Sequence, residues 1–337
     1  MSRDGTVTPV AETTTTDLAV RALLAPQLGG RAIVGIQRRP SLSRSSVMLH
    51  EIDVVLDDGT TLALMGKAID WRALAPDAQR AKPLHLWDET RELAAYTSIL
   101  SAVDVGAARF FGSFQDESGS RCLLLERIDG VPLWQFGDFE AWREAARWLA
   151  RMHRRLNAAD VAATPAADRL VIYDRRFYQS WMGRAIRFAH DARPALAELT
   201  RHHREIVDYL LAQPAAFIHG EFYSANVLVA RPNDGAYLVR PIDWEMAALA
   251  TASIDLACLA SGSWTDIERA DLADAYHDEF AALGGARPPR DGYLRTLDAC
   301  LIHLSVQNLG FSAAWTPPPD RRHDWLGEAL RLCEKWQ

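Results

Sequence analysis

The sequence is poor in cysteine, and its cysteines show no pairing pattern. Four cysteines occur in 337 residues, and no two of them form a CxxC pair. This spacing gives no indication of a disulfide framework or of a cysteine-based zinc site. All four lie in apolar stretches, so we expect them to be reduced residues of the core. They are Cys122, Cys258, Cys300 and Cys333.

The chain also lacks an excess of positive charge and any long apolar run. Its formal net charge is −7, which argues against binding to nucleic acid or an anionic membrane through overall charge. No stretch reaches the roughly 18 uninterrupted apolar residues of a membrane-spanning helix, and the N-terminus has no apolar signal core. We therefore predict a cytoplasmic protein with no nucleic-acid or membrane partner. The sequence leaves its oligomeric state open.

The pattern of apolar residues divides the chain into two lobes, as its length favours. The Thr-rich residues 1–16 are expected to be a disordered tail. Residues 17–128 contain five strand-like runs together with helical patterns, and they predict a β-rich N-lobe. Residues 129–337 are mostly helical, with an apolar stripe along the first long helix, and form a C-lobe. The sequence thus predicts an α+β chain with one clear β element in its second lobe, near residues 215–245.

Costly polar residues stand at the ends of the apolar runs in that β element. The runs at 227–230 and 237–242 are separated by turn residues around 233–234, which predicts an antiparallel hairpin. Asn226 and Asp243 then leave the hairpin at the same open end. Each of these residues alone would be interpreted as a turn former, but their joint placement on one hairpin favours a site.

A second carboxylate comes from just upstream. His219 and Glu221 lie on the turn that enters the hairpin at its open end. One amide oxygen and two carboxylates around one point suit a hard divalent cation, and Mg²⁺ is usually held by one or two protein oxygens together with substrate phosphates. The residues by themselves therefore indicate a magnesium and phosphate site.

Three short motifs resemble those of a known family. The pattern HGExxxxN begins at His219, IDWE begins at Ile242 and DLA begins at Asp255. They are similar to the His-Gly-Asp-x-x-x-x-Asn and Ile-Asp-Trp signatures of the aminoglycoside phosphotransferase and choline kinase-like superfamily. Together with the order of elements around them, the resemblance extends over nearly the whole chain. It implies a bilobal protein-kinase-like fold, with a nucleotide-binding N-lobe and a C-lobe that carries the catalytic loop, the metal site and the acceptor pocket.

The resemblance also implies an activity. The protein would be a Mg-dependent small-molecule kinase that transfers the γ-phosphate of ATP, with GTP also possible, to a hydroxyl group. Its acceptor would be an aminoglycoside, an amino sugar, a cyclitol or a related antibiotic or metabolite. Only 11 residues separate Asp243 from Asp255, and no Ala-Pro-Glu segment follows them. A protein acceptor is therefore not indicated.

The resemblance implies that the first lobe and the linker bind the nucleotide. Lys67 would pair with the α/β-phosphates, and Glu92 on the following helix would anchor that lysine. The stretch from Glu126 through Arg127 to Ile128 would offer backbone donors and acceptors to the adenine.

The same resemblance assigns the chemistry to the second lobe. Asn226 and Asp243 would hold Mg²⁺ against the phosphates, and Glu221 would orient or deprotonate the substrate hydroxyl. His219 and Asp255 would brace the catalytic loop. These roles come from the match to the motifs and not from spacing alone.

Glu221 departs from the family pattern, which has Asp at this position. The additional methylene moves the carboxylate by roughly 1 to 1.5 Å, and misplacement on that scale can cost about 10²-fold in rate unless the loop compensates. Phosphoryl transfer depends more on positioning than on strong base chemistry, so Glu is chemically competent. Two alternatives stay open. One is a catalytically inactive nucleotide-binding scaffold with a kinase-like fold, and the other is adenylyl transfer on the same residues.

The acceptor pocket is expected between residues 160–212 and the helices after residue 262. The first of these regions is rich in arginine and the second in acidic residues, so a uniformly acidic wall for a polycation is not indicated. Four aromatic residues are candidates for stacking on a sugar, a cyclitol or a quaternary amine. They are Trp181, Tyr178, Trp264 and Trp315.

Overall fold

A computed structural model describes residues 14–42, 46–188, 193–232, 235–311 and 323–336. By its internal contacts the chain forms two compact units. The first consists of residues 1–74 and 109–127, and the second consists of residues 75–108 and 128–337.

The first unit is built on a five-stranded antiparallel sheet. Its strands lie in the order β1-β2-β3-β5-β4, and the prediction of five strands in this part of the chain is confirmed. An Asp-Gly turn joins the second strand to the third, with Gly59 at a φ of +82°, a conformation that glycine adopts without steric cost. The strands are β1 (Ile33–Pro40), β2 (Leu49–Leu56), β3 (Thr61–Ala68), β4 (Phe110–Gln115) and β5 (Arg121–Glu126).

One helix, α1 (Thr15–Leu24), precedes the sheet. The hydroxyl of Thr14 accepts a hydrogen bond from the Asp17 amide, and the Asp17 carboxylate accepts one from the Thr14 amide. This reciprocal capping box fixes where the helix begins. The helix therefore starts inside the segment that the sequence assigns to a tail, and residues 1–13 lie outside the described residues.

The core of the first unit follows from the alternation of side chains along a strand. In β2, Ile52, Val54 and Leu56 are buried, whereas the residues between them are less so. These side chains form one cluster with Val20 and Leu24 of α1. One face of the sheet is thereby covered by the helix and removed from water.

The second unit is mostly helical, as the sequence predicts. The first long helix of this unit begins at Phe139. The side chain of Asp138, just before it, accepts a hydrogen bond from the Glu140 amide, as N-cap residues do. The helices are α2 (Pro76–Ala81), α3 (Arg91–Ala95), α4 (Leu133–Phe136), α5 (Phe139–Arg155), α6 (Ala158–Ala162), α7 (Arg175–Phe188), α8 (Arg193–Leu211), α9 (Ser253–Leu259), α10 (Asp266–Ala282), α11 (Arg290–Phe311) and α12 (Trp325–Trp336).

Two small three-stranded sheets also belong to the second unit. They have the orders β10-β9-β6 and β7-β11-β8, and their strands are β6 (Val131–Pro132), β7 (Val171–Ile172), β8 (Ala215–Ile218), β9 (Val227–Ala230), β10 (Leu238–Pro241) and β11 (Ala248–Thr251). The prediction of one clear β element is therefore incomplete. Strand β11 contains two alanines, which are weak strand formers, and it forms because β8 and β7 pair with it on either side.

The segment from residue 75 to residue 108 groups with the second unit, although the sequence assigns it to the first lobe. Its helix α3 continues as a π-helical stretch, Tyr96–Leu100. The physical reason for the grouping is hydrogen bonding, because the buried Arg91 guanidinium donates to backbone carbonyls at residues 169 and 245 of the second unit. The functional division into lobes stays a prediction.

Two expectations from composition can be compared with the structure. The four cysteines are buried and free of disulfides, as expected for reduced core residues. None of the helices in the described part of the chain is long and apolar enough to span a membrane.

Candidate active site

The hairpin predicted from the sequence is present. Strands β9 and β10 pair antiparallel, with Val227 opposite Pro241. The ladder continues one step further, because the Ile242 amide donates to the Asn226 carbonyl at 2.9 Å. Asn226 and the residue after Ile242 therefore emerge at the same end of the hairpin, and that next residue is Asp243. The predicted turn at 233–234 lies outside the described residues.

Asp243 has an unusual backbone conformation. Its φ is +70°, and no other non-glycine residue in the described ranges has a positive φ. Such a conformation costs an L-residue about 1 to 2 kcal/mol and is least unfavourable for Asp and Asn. Strained residues of this kind concentrate at functional sites. Because Asp243 lies two residues after the end of β10 and has this φ, the regular strand conformation does not continue through it.

The loop before the hairpin is held by one buried carboxylate. Asp255, at the start of α9, is fully buried and accepts hydrogen bonds from the His219 amide at 2.7 Å and the Gly220 amide at 2.9 Å. Gly220 has a φ of +84°, and a Cβ there would clash with the carbonyl oxygen of Met246. Only glycine combines this φ with this close approach of the two chains. The loop geometry is thus fixed by main-chain groups.

The ring of His219 links the loop to the hairpin, and its hydrogen bonds define its tautomer. Nε2 lies 2.9 Å from the Ile242 carbonyl, and because a carbonyl only accepts, Nε2 carries the hydrogen. The Glu221 amide donates to Nδ1 at 3.3 Å, so Nδ1 is the bare nitrogen. A neutral ring with this tautomer satisfies both contacts. His219 and Asp255 have the geometry of loop supports, and their assigned role stays a prediction.

Asn226 is oriented by the same loop. Its Nδ2 donates to the Glu221 carbonyl at 3.0 Å, which directs the amide nitrogen to the loop and the amide oxygen away from that carbonyl. An amide oxygen and the Asp243 carboxylate are hard oxygen donors that suit Mg²⁺. In the described ranges no cluster of three or more His, Cys, Asp or Glu side chains is arranged to hold a metal. The chemistry of the Asn226 and Asp243 oxygens fits Mg²⁺, which proteins usually hold by one or two of their own oxygens together with substrate phosphates.

Glu92 and Lys67 lie in different units. Glu92 belongs to the second unit and is buried, and its Oε1 accepts a hydrogen bond from the Trp244 amide at 3.2 Å. It thereby supports the segment that follows Asp243, a contact the sequence did not suggest. Lys67 belongs to the first unit, is also buried, and lies on β3 between Leu49 and Leu123. The predicted partnership of Lys67 with Glu92 stays a prediction.

The stretch predicted to contact the adenine already uses two of its amides. The Glu126 amide donates to the Arg109 carbonyl at 2.8 Å, and the Arg127 amide donates to the Ala63 carbonyl at 3.0 Å. The Arg127 side chain pairs at 2.8 Å with Asp53 on β2, which is separated from β5 by β3. Because the Glu126 and Arg127 amides already have acceptors, the predicted adenine contacts of this stretch are limited to its backbone carbonyls and the Ile128 amide.

A cavity of about 290 Å³ adjoins Glu221 within the second unit. Its lining combines apolar and aromatic side chains with a few charged and amide groups from four separate parts of the chain. The lining residues are Ala78, Lys82, Pro83, Leu86, Trp87, Asp88, Arg91, Trp181, Glu221, Glu245, Met246, Gln307, Asn308 and Phe311. A mainly apolar cavity with a few convergent polar groups is typical of a small-molecule site.

Lys82 forms an ion pair with Glu245 at the edge of this cavity. Burial alone lowers the pKa of the Lys82 ammonium, but the negative charges of Glu245, Glu221 and Asp243 outweigh this effect and raise the pKa above its usual value. Lys82 is therefore a protonated cation beside the proposed catalytic carboxylate. No motif in the sequence marks Lys82, and only its three-dimensional surroundings reveal it.

Arg91 is the second cation missed by sequence reasoning. It is 6% exposed, and its guanidinium donates to the Arg169 carbonyl at 2.8 Å, the Glu245 carbonyl at 2.7 Å and the Leu86 carbonyl at 2.9 Å. These hydrogen bonds connect the cavity lining near Leu86 to the end of the hairpin. The sequence signal was its position next to Glu92 on the helix, which does not distinguish it from a surface arginine.

The structure describes three of the four aromatic candidates for the acceptor pocket, and these three have different surroundings. Trp181 lines the cavity, whereas Tyr178 is buried against the ring of His303. Trp264 packs edge-on against Trp142, away from the lining residues. Trp315 lies outside the described residues. The regions expected to form the acceptor pocket include Trp181 and residues 307–311 of this cavity lining but not residues 78–91.

The comparison with protein families gives one match. The model of the phosphotransferase enzyme family, APH, matches residues 73–293, which is more than half of the chain. That range contains Glu92, the hairpin residues from His219 to Asp243 and Asp255, but not the cavity residues 307–311. No curated protein matches the chain in sequence.

Solved structures share the fold. The GDP complex of wild-type aminoglycoside 2'-phosphotransferase-IIIa is 16% identical over 94% of this chain and 97% of that one, with a TM-score of 0.55. A microcompartment-associated aminopropanol kinase is 14% identical over 94% and 95%, also with a TM-score of 0.55. The Plasmodium vivax ethanolamine kinase Pv091845 is 10% identical over 88% and 81%, with a TM-score of 0.50. At this identity the likeness establishes the α+β protein-kinase-like fold, with a β-rich N-lobe and a mainly helical C-lobe.

Proposed function

The chain belongs to the phosphotransferase enzyme family APH, and on this basis we propose that it transfers the γ-phosphate of ATP or GTP to a hydroxyl group of a small molecule. The names of the aminopropanol and ethanolamine kinases with the same fold support a small-molecule acceptor. The observation that carries the proposal is the convergence of Asn226 and Asp243 at one end of the hairpin, with Asn226 bonded to the backbone of Glu221.

Each residue has a role in this proposal. Lys67 binds the nucleotide phosphates, and the amide oxygen of Asn226 and the carboxylate of Asp243 hold Mg²⁺. When bound, Mg²⁺ neutralises charge on the phosphates and favours transfer. Glu221 accepts a hydrogen bond from the acceptor hydroxyl. This hydrogen bond orients the hydroxyl oxygen for attack on the γ-phosphate, and the Glu221 carboxylate receives the hydroxyl proton.

The surrounding residues hold these groups in place. Asp255 binds two consecutive amides of the loop, and the neutral ring of His219 joins the loop to the hairpin. These contacts are made by groups of the chain itself and require no substrate group, so they can hold the loop in one geometry. The longer side chain of Glu221 is compatible with catalysis if this geometry directs its carboxylate to the acceptor hydroxyl.

The experiment separates binding from chemistry. Binding of a fluorescent ATP analogue is measured with and without Mg²⁺, and nucleoside diphosphate release is measured over a panel of hydroxyl acceptors. We expect Asp243→Ala and Asn226→Ala to lose the Mg²⁺-dependent part of nucleotide binding. We expect Glu221→Gln to keep nucleotide binding and to lose about 10²-fold to 10⁴-fold in turnover. Glu334→Gln, which changes an exposed carboxylate on α12, is the control.

Two results would contradict the proposal. Mg²⁺-dependent nucleotide binding that is unchanged in both Asp243→Ala and Asn226→Ala would remove the metal assignment. Tight nucleotide binding with no turnover on any acceptor, in wild type as in Glu221→Gln, would favour a nucleotide-binding scaffold instead.

A further inference from the structure

The cavity beside Glu221 carries an inference about the acceptor, and this inference rests on the proposed function. We propose that the acceptor is an uncharged hydroxy compound with an apolar, ring-containing body, and not a polycationic amino sugar. Its hydroxyl would lie at Glu221, and its body would fill the apolar part of the cavity.

The first argument is the chemistry of the lining. Five large apolar side chains surround the space next to Glu221, and they come from the segment after α2, from α7, from the end of the hairpin and from α11. They are Leu86, Trp87, Trp181, Met246 and Phe311. Apolar surface of this kind binds an apolar ligand by removing both surfaces from water. An aminoglycoside would instead cover these side chains with hydroxyl and ammonium groups that they cannot satisfy.

The second argument is that two of the three carboxylates in the lining, Glu245 and Asp88, already have partners. Lys82 pairs with Glu245, and Arg91 donates to three backbone carbonyls. Asp88 accepts hydrogen bonds from the amide and hydroxyl of Thr90. Glu221, the remaining carboxylate, is assigned to the acceptor hydroxyl. The cavity therefore offers few carboxylates with which to bind several ammonium groups.

The third argument comes from two buried polar groups in the lining. Gln307 and Trp181 are each 1% exposed, and within the part of the chain that the structure describes Gln307 Oε1 and Trp181 Nε1 have no hydrogen-bond partner. A buried polar group without a partner calls for an explanation such as a ligand. A hydroxyl or carbonyl substituent on the acceptor body can supply the missing partners without adding charge.

The size of the cavity limits the acceptor. Its volume of about 290 Å³ lies at the lower end of the range for drug-sized ligands, about 300 to 1,000 Å³. A body of one or two rings suits this space. We therefore choose 2-(2-naphthyl)ethanol as the neutral probe and kanamycin as the polycationic probe.

The test measures binding of each probe by calorimetry in the absence of nucleotide. Leu86→Glu and Phe311→Glu add a charge to opposite parts of the lining. The matched control is Leu84→Glu, because Leu84 lies on the same short helical turn as Leu86 but is 67% exposed and outside the lining. We expect wild type to bind naphthylethanol at least tenfold more tightly than kanamycin. Both lining variants should weaken the naphthylethanol at least tenfold, and the control should change it less than twofold.

Two outcomes would overturn the inference. One is tighter binding of kanamycin than of naphthylethanol by wild type, and the other is unchanged naphthylethanol binding in both folded lining variants. The proposed function is judged separately by Mg²⁺-dependent nucleotide binding and its loss in Asp243→Ala. If that dependence holds while naphthylethanol does not bind, the acceptor inference fails and the phosphotransferase proposal stands. If naphthylethanol binds selectively but no nucleotide does, the phosphotransferase proposal fails, and only the preference of the cavity for a neutral apolar ligand stands.

Discussion

The two sides of the candidate site are built by different means. The catalytic hairpin, residues 219–245, is fixed by main-chain groups, including the amides bound by Asp255 and the ladder that extends to Ile242. The cavity wall, residues 78–91, is fixed by side chains, chiefly the ion pair of Lys82 and the guanidinium of Arg91. Main-chain geometry tolerates few substitutions, whereas side-chain contacts can be exchanged. If the proposed function holds, the hairpin should tolerate fewer substitutions than the cavity wall, and the predictions below compare the two sides.

The largest expected effect follows from removing Asp255. Asp255→Ala leaves two buried amides without an acceptor, at a cost of about 1 to 3 kcal/mol each. We therefore expect a loss of about 4 kcal/mol in the free energy of unfolding, measured by urea denaturation. Asp255→Asn keeps one acceptor oxygen and should lose less. If Asp255→Ala lost under 1 kcal/mol, the hairpin side would not depend on this residue.

The second prediction tests the close approach at Gly220. Gly220→Ala adds a methyl group that clashes with the Met246 carbonyl at a positive φ, and the two effects together should cost about 3 kcal/mol. The matched control is Gly262→Ala, which has a φ of +99° and no atom within 4 Å of the added Cβ. The control should lose only about 1 kcal/mol. Equal losses in thermal and urea unfolding would mean that φ alone matters and that the close approach does not.

The third prediction concerns His303, which lies on α11 one turn before the cavity residue Gln307. Burial, with a contribution from His203, lowers the pKa of His303 to about 3, against about 6.5 in the unfolded chain. Between these values the unfolded chain binds a proton that the folded chain does not. Stability therefore falls as the pH falls through this window, by about 2 kcal/mol at pH 5.

Two variants test this assignment. His303→Gln and His303→Phe differ in polarity, but both remove the titrating group. In each, the difference in unfolding free energy between pH 7 and pH 5 should be smaller than in wild type by about 2 kcal/mol. An acid dependence as steep as that of wild type in both variants would assign it to other groups, such as His203.

The smallest expected effect tests whether Lys82, in the cavity wall, compensates the charge of Glu245. Lys82→Ala removes the partner of Glu245, so the cavity gains an uncompensated carboxylate. The ratio of affinities for 2-(2-naphthyl)ethylamine and 2-(2-naphthyl)ethanol should then shift toward the amine about tenfold, or about 1.4 kcal/mol. Arg80→Ala, in the last turn of α2 just before Lys82, breaks an exposed ion pair with Asp77 and should leave the ratio unchanged. A ratio equal to that of wild type in Lys82→Ala would contradict charge compensation by Lys82.

The sequence predicted the parts of the fold that depend on local pattern. The five strands of the first unit and the hairpin of β9 and β10 follow from alternation and turn residues, and their observed bounds agree within a few residues. Strand β11 was not predicted because its residues are poor strand formers and its pairing is with distant strands. The hydrogen bond from the Trp244 amide to Glu92 was missed for a similar reason, since the two residues are far apart in the chain.

The sequence by itself determined which chemical groups stand at the end of the hairpin, because strand alternation and a short turn bring Asn226 and Asp243 together. It also determined the family, through motifs that are nearly continuous in the chain. Only the tertiary structure decided what surrounds Glu221. The ion pair of Lys82 with Glu245 and the contacts of Arg91 with the carbonyls of residues 169 and 245 join segments more than seventy residues apart. Contacts of that range depend on how separate elements pack to bury their apolar faces, and no local pattern encodes them.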